Sequence, residues 1–337
     1  MALIDFDKIK DVLGLSKPLT KLIEVIAQGT GAITQPYLIK KNADAKAYEI
    51  NVVSKAIEEN QNSLQKINYK EAKVSLRSLD KESIKEITSL TERAENRIEY
   101  QEQKRQQNIE RVTQIAVEQL ETEKTVSEEK VDEDWTTRFF SYAQDVSNEE
   151  MQDLWGRILA GEVKNPKSFS LRTLELIRNL SKSDAEIFSK IANFSVSHGK
   201  DAFLIKGKDD ELKKFGIKFD DIALMEELGL LHSGEFLSFE FQPLPNDKQN
   251  VFILGNTIVL FNKKANSAKQ SLSIRLFTRI GKELLELIEV NPDFKYIQSL
   301  ATELKNDNSE LTYAQITERL DNGRIRHNNP IEIPTNK

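Results

Sequence analysis

The sequence predicts a mainly α protein with a smaller α+β part: long polar helices, a compact four-helix module and a winged-helix-like C-terminal domain. Three observations carry that expectation. Residues 40–130 contain neither proline nor glycine. The block from Trp135 to Leu180 gathers both tryptophans, aromatic stripes at helical spacing and serines placed to cap helices. Beyond Val196 the pattern changes to short β-type runs separated by turn signals.

Composition sets the frame. A chain of 337 residues with 39% hydrophobic and 30% charged residues can build two or three domains with real cores and much solvated surface. The 48 basic and 54 acidic residues give a net charge of -6, which argues against a protein coated in positive charge for general nucleic-acid binding but leaves room for a local basic patch. With no cysteine there is no disulfide, thiolate zinc site, iron–sulfur cluster or cysteine nucleophile. The sequence holds no run of about 18 apolar residues, and the start MALIDFDKIK is acidic where a signal peptide is basic, so no membrane span and a cytoplasmic location are expected.

Taken in order, residues 1–39 read as an amphipathic segment, with Leu13, Leu15, Leu19, Leu22, Ile23, Val25 and Ile26 at roughly helical spacing and breaks at Gly29, Gly31 and Pro36. The segment lacks the lysine-rich, aromatic-flanked face of interfacial helices, so it is expected to pack on the rest of the protein or on a second copy. Residues 40–130 read as long polar helices. Within them Glu92 to Leu120 has too little apolar surface to stand alone, its contacts being Ile98, Ile109, Val112, Ile115, Ala116 and Leu120. Ile98, Arg105, Val112 and Gln119 share one heptad position, so a charge and an amide break any regular coiled coil. A helical hairpin or a loose inter-subunit bundle fits better, and a homo-oligomer follows.

Residues 131–195 form the helical module. The acid-rich run Thr122 to Asp134 leads into a first helix lined by Trp135, Phe139, Phe140 and Ala143. Ser147 with Glu150 reads as a capping box for a second helix ending at Gly161, with Trp155, Ile158 and Leu159 inward. Ser170 is placed to cap a third and Ser183 with Glu186 a fourth. In residues 196–290 the runs AFLIK, FLSFEF, VFILG and TIVLF are strands, the last two joined at Gly255-Asn256. Asp220 to Glu227 is a helix closed by Gly229, and Thr278 caps another, the order of a winged helix. Residues 291–320 read as a C-terminal helical segment, and residues 321–337 as a disordered tail.

The block from Trp135 carries Gln152-x-x-Trp155, Ile158-Leu159-Ala160-Gly161-Glu162 and Ser168-Phe169-Ser170-Leu171-Arg172-Thr173-Leu174. In these elements the chain resembles an uncharacterised bacterial family, the domain of unknown function DUF2806. The likeness extends more weakly to the N-terminal GLSKPLTKLIEVIAQGTGAITQPYLIKKNADAKA and the C-terminal LFTRIGKELLELI. It departs at Asn165-Pro166-Lys167, where the family pattern calls for proline followed by glycine. The resemblance implies a bacterial or phage-encoded protein and brings no catalytic residues with it.

Chemistry is sparse. His198, His232 and His327 are dispersed and outside any HExxH pattern, so no histidine metal site is expected. Glu149, Asp153 and Glu162 as a magnesium site compete with ordinary surface ion pairing, which explains such acids better. No GxxxxGK[ST] loop exists. Asp293 with Glu303 and Lys305 resembles a nuclease triad only in composition, because all fall in a helical pattern. No catalytic residue, metal or cofactor is assigned, and an enzyme is the less favoured reading. The strongest binding signal is Asn262 to Lys282, where Lys263, Lys264, Lys269, Arg275, Arg279 and Lys282 occur without an acid. As a wing these cations would reach phosphates, while a solvated basic loop is the structural alternative. Gln152, Arg157, Glu162 and Arg172 are the candidates for a protein partner. The expected function is thus a cytoplasmic interaction protein that self-associates through its long helices and binds a macromolecular partner. The second reading is a nucleic-acid-binding protein of a regulatory or anti-phage system.

Overall fold

The structure is a computed structural model that describes residues 16–30, 90–206, 211–234, 237–241, 244, 249–263, 270–305, 309–320 and 324–333. Leu13 and Leu15, the expected polar helices of residues 40–89, the breaks at Gly31 and Pro36, and Lys264 and Lys269 lie outside them. The chain divides into two units, Met1–Pro166 and Lys167–Lys337. The first two helices of the expected four-helix module therefore belong to one unit and the last two to the other.

The first unit contains α1 (Lys17–Thr30), α2 (Leu90–Leu120), α3 (Glu133–Ala143) and α4 (Glu149–Lys164). α1 buries Leu22, Ile23, Val25 and Ile26 and packs on α3 and α4. Its helix continues through Gly29, which the sequence marks as a break, and a side chain there would meet the Phe140 ring and Thr136. The glycine serves close packing, not chain reversal. α2 crosses α4 at Gly156, where an added Cβ would lie 2.5 Å from Ile115 Cγ2. The core centres on Phe139, whose ring lies 5.0 Å from Trp135 and 5.2 Å from Trp155.

Caps differ from expectation in register. Asp132 caps α3, accepting from Trp135 N at 2.9 Å. Asn148, not Ser147, caps α4, because Ser147 Oγ is taken by Asn108 Nδ2 at 3.3 Å. α4 runs past Gly161 to Lys164.

The Pro166–Lys167 turn follows. Lys167 has φ 73, a left-handed conformation that L residues adopt at a cost of about 1–2 kcal/mol. Proline followed by a positive-φ residue is the type II arrangement, which explains why glycine suits this second position. Lys167→Gly is expected to raise stability by about 0.5 kcal/mol, the relieved strain exceeding the extra unfolded-state entropy. A higher urea midpoint would bear this out, and a lower one would refute it.

The second unit begins with α5 (Leu171–Asn179) and α6 (Lys182–Ala192). The capping box of α6 is Ser181 with Asp184, two residues before the expected Ser183 and Glu186. Then come β1 (Val196–His198), β2 (Asp201–Ile205), a 3-10 turn (Glu211–Phe215), α7 (Phe219–Glu227) and β3 (Ser238–Phe241). Next are β4 (Asn250–Leu254), β5 (Thr257–Lys263), β6 (Gln270–Leu276), α8 (Arg279–Leu285) and α9 (Phe294–Leu304). β7 (Ser309–Arg319), β8 (Ile325–His327) and β9 (Ile331–Glu332) end the described chain.

Among the described residues these strands form one nine-stranded antiparallel sheet in the order β3-β6-β2-β1-β4-β5-β7-β8, with β9 also on β7. The fold is therefore mixed α and β, and the winged-helix expectation is corrected. Several of its local signals hold: the Gly255-Asn256 hairpin joins β4 to β5, Gly229 follows α7 with φ 70, and Thr278 caps α8 through Gly281 N at 3.1 Å. What differs is that the hairpin lies inside a sheet, β4 pairing with β1 and β5 with β7. Ser309 to Arg319, expected as helix, is strand because seven of its residues pair with β5, and this pairing overrides a weak local pattern. The tail expected to be disordered contributes β8 and β9. Its polar residues gain backbone ladder bonds along β7, and Ile333, 3% exposed, anchors it.

The sheet buries Phe203, Phe252 and Phe261 completely. α9 packs on β6, and Tyr296 Oη accepts from Ile205 N at 3.0 Å. His198 Nδ1–H donates to Val251 O, 2.9 Å away, with its ring against Phe252. This histidine is a packing residue.

Candidate functional site

One end of the sheet in the second unit is concave. Two two-residue hairpin turns stand there, Gly199-Lys200 between β1 and β2 and Gly255-Asn256 between β4 and β5. Each begins with a glycine of positive φ, 61 and 55, as type II′ turns require. Each is held by a cation from elsewhere in the unit. Lys282 Nζ of α8 donates to Lys200 O at 3.0 Å and lies 3.5 Å from Asp201 Oδ1. Arg319 Nη2, at the end of β7, donates to Gly255 O at 2.6 Å.

Between the turns and the end of α8 lies a groove of about 740 Å³, within the usual range for ligand sites. Its lining includes the aliphatic Ile253, Leu285 and Ile288. It also includes Lys200, Lys282 and Arg319 together with Asp201, Glu286 and Glu289. Desolvation, with the charge of Glu283 second, pushes the Glu286 carboxyl above its ordinary pKa.

Beside the groove Glu283 is 7% exposed and collects three donors. Its Oε2 accepts from Ser170 N at 2.7 Å and from the Thr173 hydroxyl, while Oε1 accepts from Arg279 Nε at 2.7 Å. Ser170 is the N-cap of α5 but makes no side-chain cap bond. Glu283 instead holds the N–H of this N-cap residue and the Thr173 hydroxyl from another helix, and its negative charge suits the positive end of α5.

The expected site residues separate. Arg279 and Lys282 of the basic run are engaged with Glu283 and Asp201. Arg275 is half-buried on β6 opposite Leu204. Lys263 closes β5, and its side chain, like Lys264 and Lys269, lies outside the described residues. Gln152 is 6% exposed, with Nε2 donating to Asn108 Oδ1 at 3.1 Å and Val146 O at 2.8 Å. Glu162 is buried, Arg157 pairs with Asp153 at 2.8 Å, and Arg172 is exposed. Among these four, Arg172 is the side chain presented to solvent.

Asp293 caps α9 through Lys295 N at 2.8 Å, with Glu303 and Lys305 at the far end of that helix, so the three do not converge. Among the described residues no group of three His, Asp or Glu side chains could hold a metal ion, and no helix is long and apolar enough to cross a membrane.

A family model described as "Protein of unknown function (DUF2806)" matches residues 92–301. The chain belongs to this family. No curated protein and no solved structure matches it. The DUF2806 region takes in both ends of the Glu283 network, so the Ser168-to-Leu174 motif and LFTRIGKELLELI meet in space as hydroxyl, amide and carboxylate. Both segments stand out in the sequence, but nothing in the local pattern marks Glu283 as the point where they meet. Its position four residues after Arg279 was the available signal, and only of their ion pair. Arg319 gave none, since its role depends on β7 pairing with β5.

Proposed function

We propose that this DUF2806 protein is a non-enzymatic interaction protein that self-associates through the first half of α2. One observation carries the reading. α2 is about 46 Å long, and it buries Val112, Ile115, Ala116 and Leu120 in its second half. Ile98 precedes Val112 by two seven-residue steps and so faces the same side, yet it is 52% exposed. Leu90, on that stripe with Ala94, is 75% exposed. Among the described residues, the stripe that packs the unit thus runs on past its packing partners.

A second copy is a chemically suitable cover. Residues 90–107 carry Glu92, Glu95, Glu99 and Glu102 against Arg93, Arg97, Lys104 and Arg105, so two such helices do not repel and can pair charges in antiparallel. The nucleic-acid reading has less support, because Arg279 pairs with Glu283 and Lys282 stands among Asp201, Glu286 and Glu289, so among the described residues this part of the basic run presents mixed charge and not a cationic surface.

Analytical ultracentrifugation of the full chain at micromolar concentration tests the reading. The expected species is a dimer or larger. Leu90→Glu with Ile98→Glu is expected to weaken association at least about tenfold, roughly 1.4 kcal/mol, with unchanged helical circular dichroism. A monomeric parent, or a double variant of unchanged mass, would sink the proposal.

A further inference from the structure

The groove at the end of the sheet has a use independent of self-association. We propose that it binds a peptide-like zwitterion, an amino acid or short peptide with free termini and an aliphatic side chain. Lys282 and Arg319 are fixed by the turn carbonyls they grip, and each keeps further N–H donors beyond the bonds described. A ligand carboxylate would be received there as by any preorganised guanidinium and ammonium. Glu286 and Glu289, which follow along α8 and its C-terminal extension, provide acceptors for an ammonium group. Ile253, Leu285 and Ile288 in the same lining offer apolar contact for the side chain.

Charge selects this class over others. A simple anion such as phosphate would meet Asp201, Glu286 and Glu289, and a diamine would meet Lys200, Lys282 and Arg319. A molecule bearing both signs can satisfy both, and a nucleic-acid backbone cannot.

Titration calorimetry of the full chain with four probes tests the inference: leucyl-leucine, the same dipeptide with both termini blocked, inorganic phosphate and putrescine. Leucyl-leucine is expected to bind saturably, and the other three at least about tenfold more weakly, each tenfold being 1.4 kcal/mol. Arg319→Ala is expected to weaken leucyl-leucine by a similar factor. Because Arg319 also holds Gly255 O, Glu289→Gln serves as a second variant on an exposed acid and is expected to weaken the same probe about fivefold. Phosphate or the blocked dipeptide binding as well as leucyl-leucine would overturn the proposal. So would no saturable heat from leucyl-leucine, or an affinity indifferent to both substitutions. Loss of self-association in the α2 variant leaves these outcomes unaffected, so the two readings fail separately.

Discussion

Glu283→Ala is expected to destabilise the second unit by about 2–3 kcal/mol, because it leaves the half-buried Ser170 N–H without its acceptor and the buried Thr173 hydroxyl with Ser170 Oγ in place of a carboxylate. Most of that cost comes from the donors that lose the carboxylate, not from the ion pair with Arg279, whose side chain is 72% exposed. Arg279→Ala should therefore cost less than about 1 kcal/mol. Glu283→Gln, which keeps an acceptor but loses the charge near the start of α5, should fall between the two. Amide hydrogen exchange over Leu171–Asn179 is the direct measurement. Equal protection in Glu283→Ala and the parent would show that the carboxylate does not hold the start of α5.

Gly255→Ala is the second large effect, and Gly199→Ala is its control. Both glycines open a two-residue turn with positive φ, so an alanine at either site meets a backbone strain of about 1–3 kcal/mol. Around Gly199 nothing lies within 4 Å of the added Cβ, whereas at Gly255 it would run into Val290 O and come 3.0 Å from Pro292 Cδ. A backbone carbonyl cannot step aside as a flexible side chain can, so Gly255→Ala should cost about 1–3 kcal/mol more than Gly199→Ala. Urea unfolding followed by far-ultraviolet circular dichroism of both variants measures the difference. Equal midpoints would mean that the chain after α8 moves freely away from the turn.

Local chemistry was legible in the sequence, and long-range pairing was not. The Gly255-Asn256 turn, Gly229 after α7 and Thr278 before α8 were visible because each depends on a few adjacent residues. Capping serines were placed one or two residues off, because Ser147 and Ser183 compete with neighbours whose alternative partners appear only on folding. β7, β8 and β9 were missed for a different reason. Their stability comes from backbone ladders supplied by strands up to 58 residues away, as in Thr257 opposite Gln315, and their own residues carry little alternation. The groove follows from those ladders, so Arg319 could not be singled out before β7 was known. Gln152 looked like a surface amide near a tryptophan. Its burial against Asn108 requires α2 to cross α4, and no local pattern announces that crossing.

Trp135, stacked on Phe139, and Trp155, edge-on to the same ring, are the two indoles of the chain, and both belong to the first unit. Light absorbed at the red edge of the indole band is thus a private signal of α3 and α4. A titration that melts the nine-stranded sheet while indole emission stays constant would resolve two folding transitions in a single cuvette, with no label added.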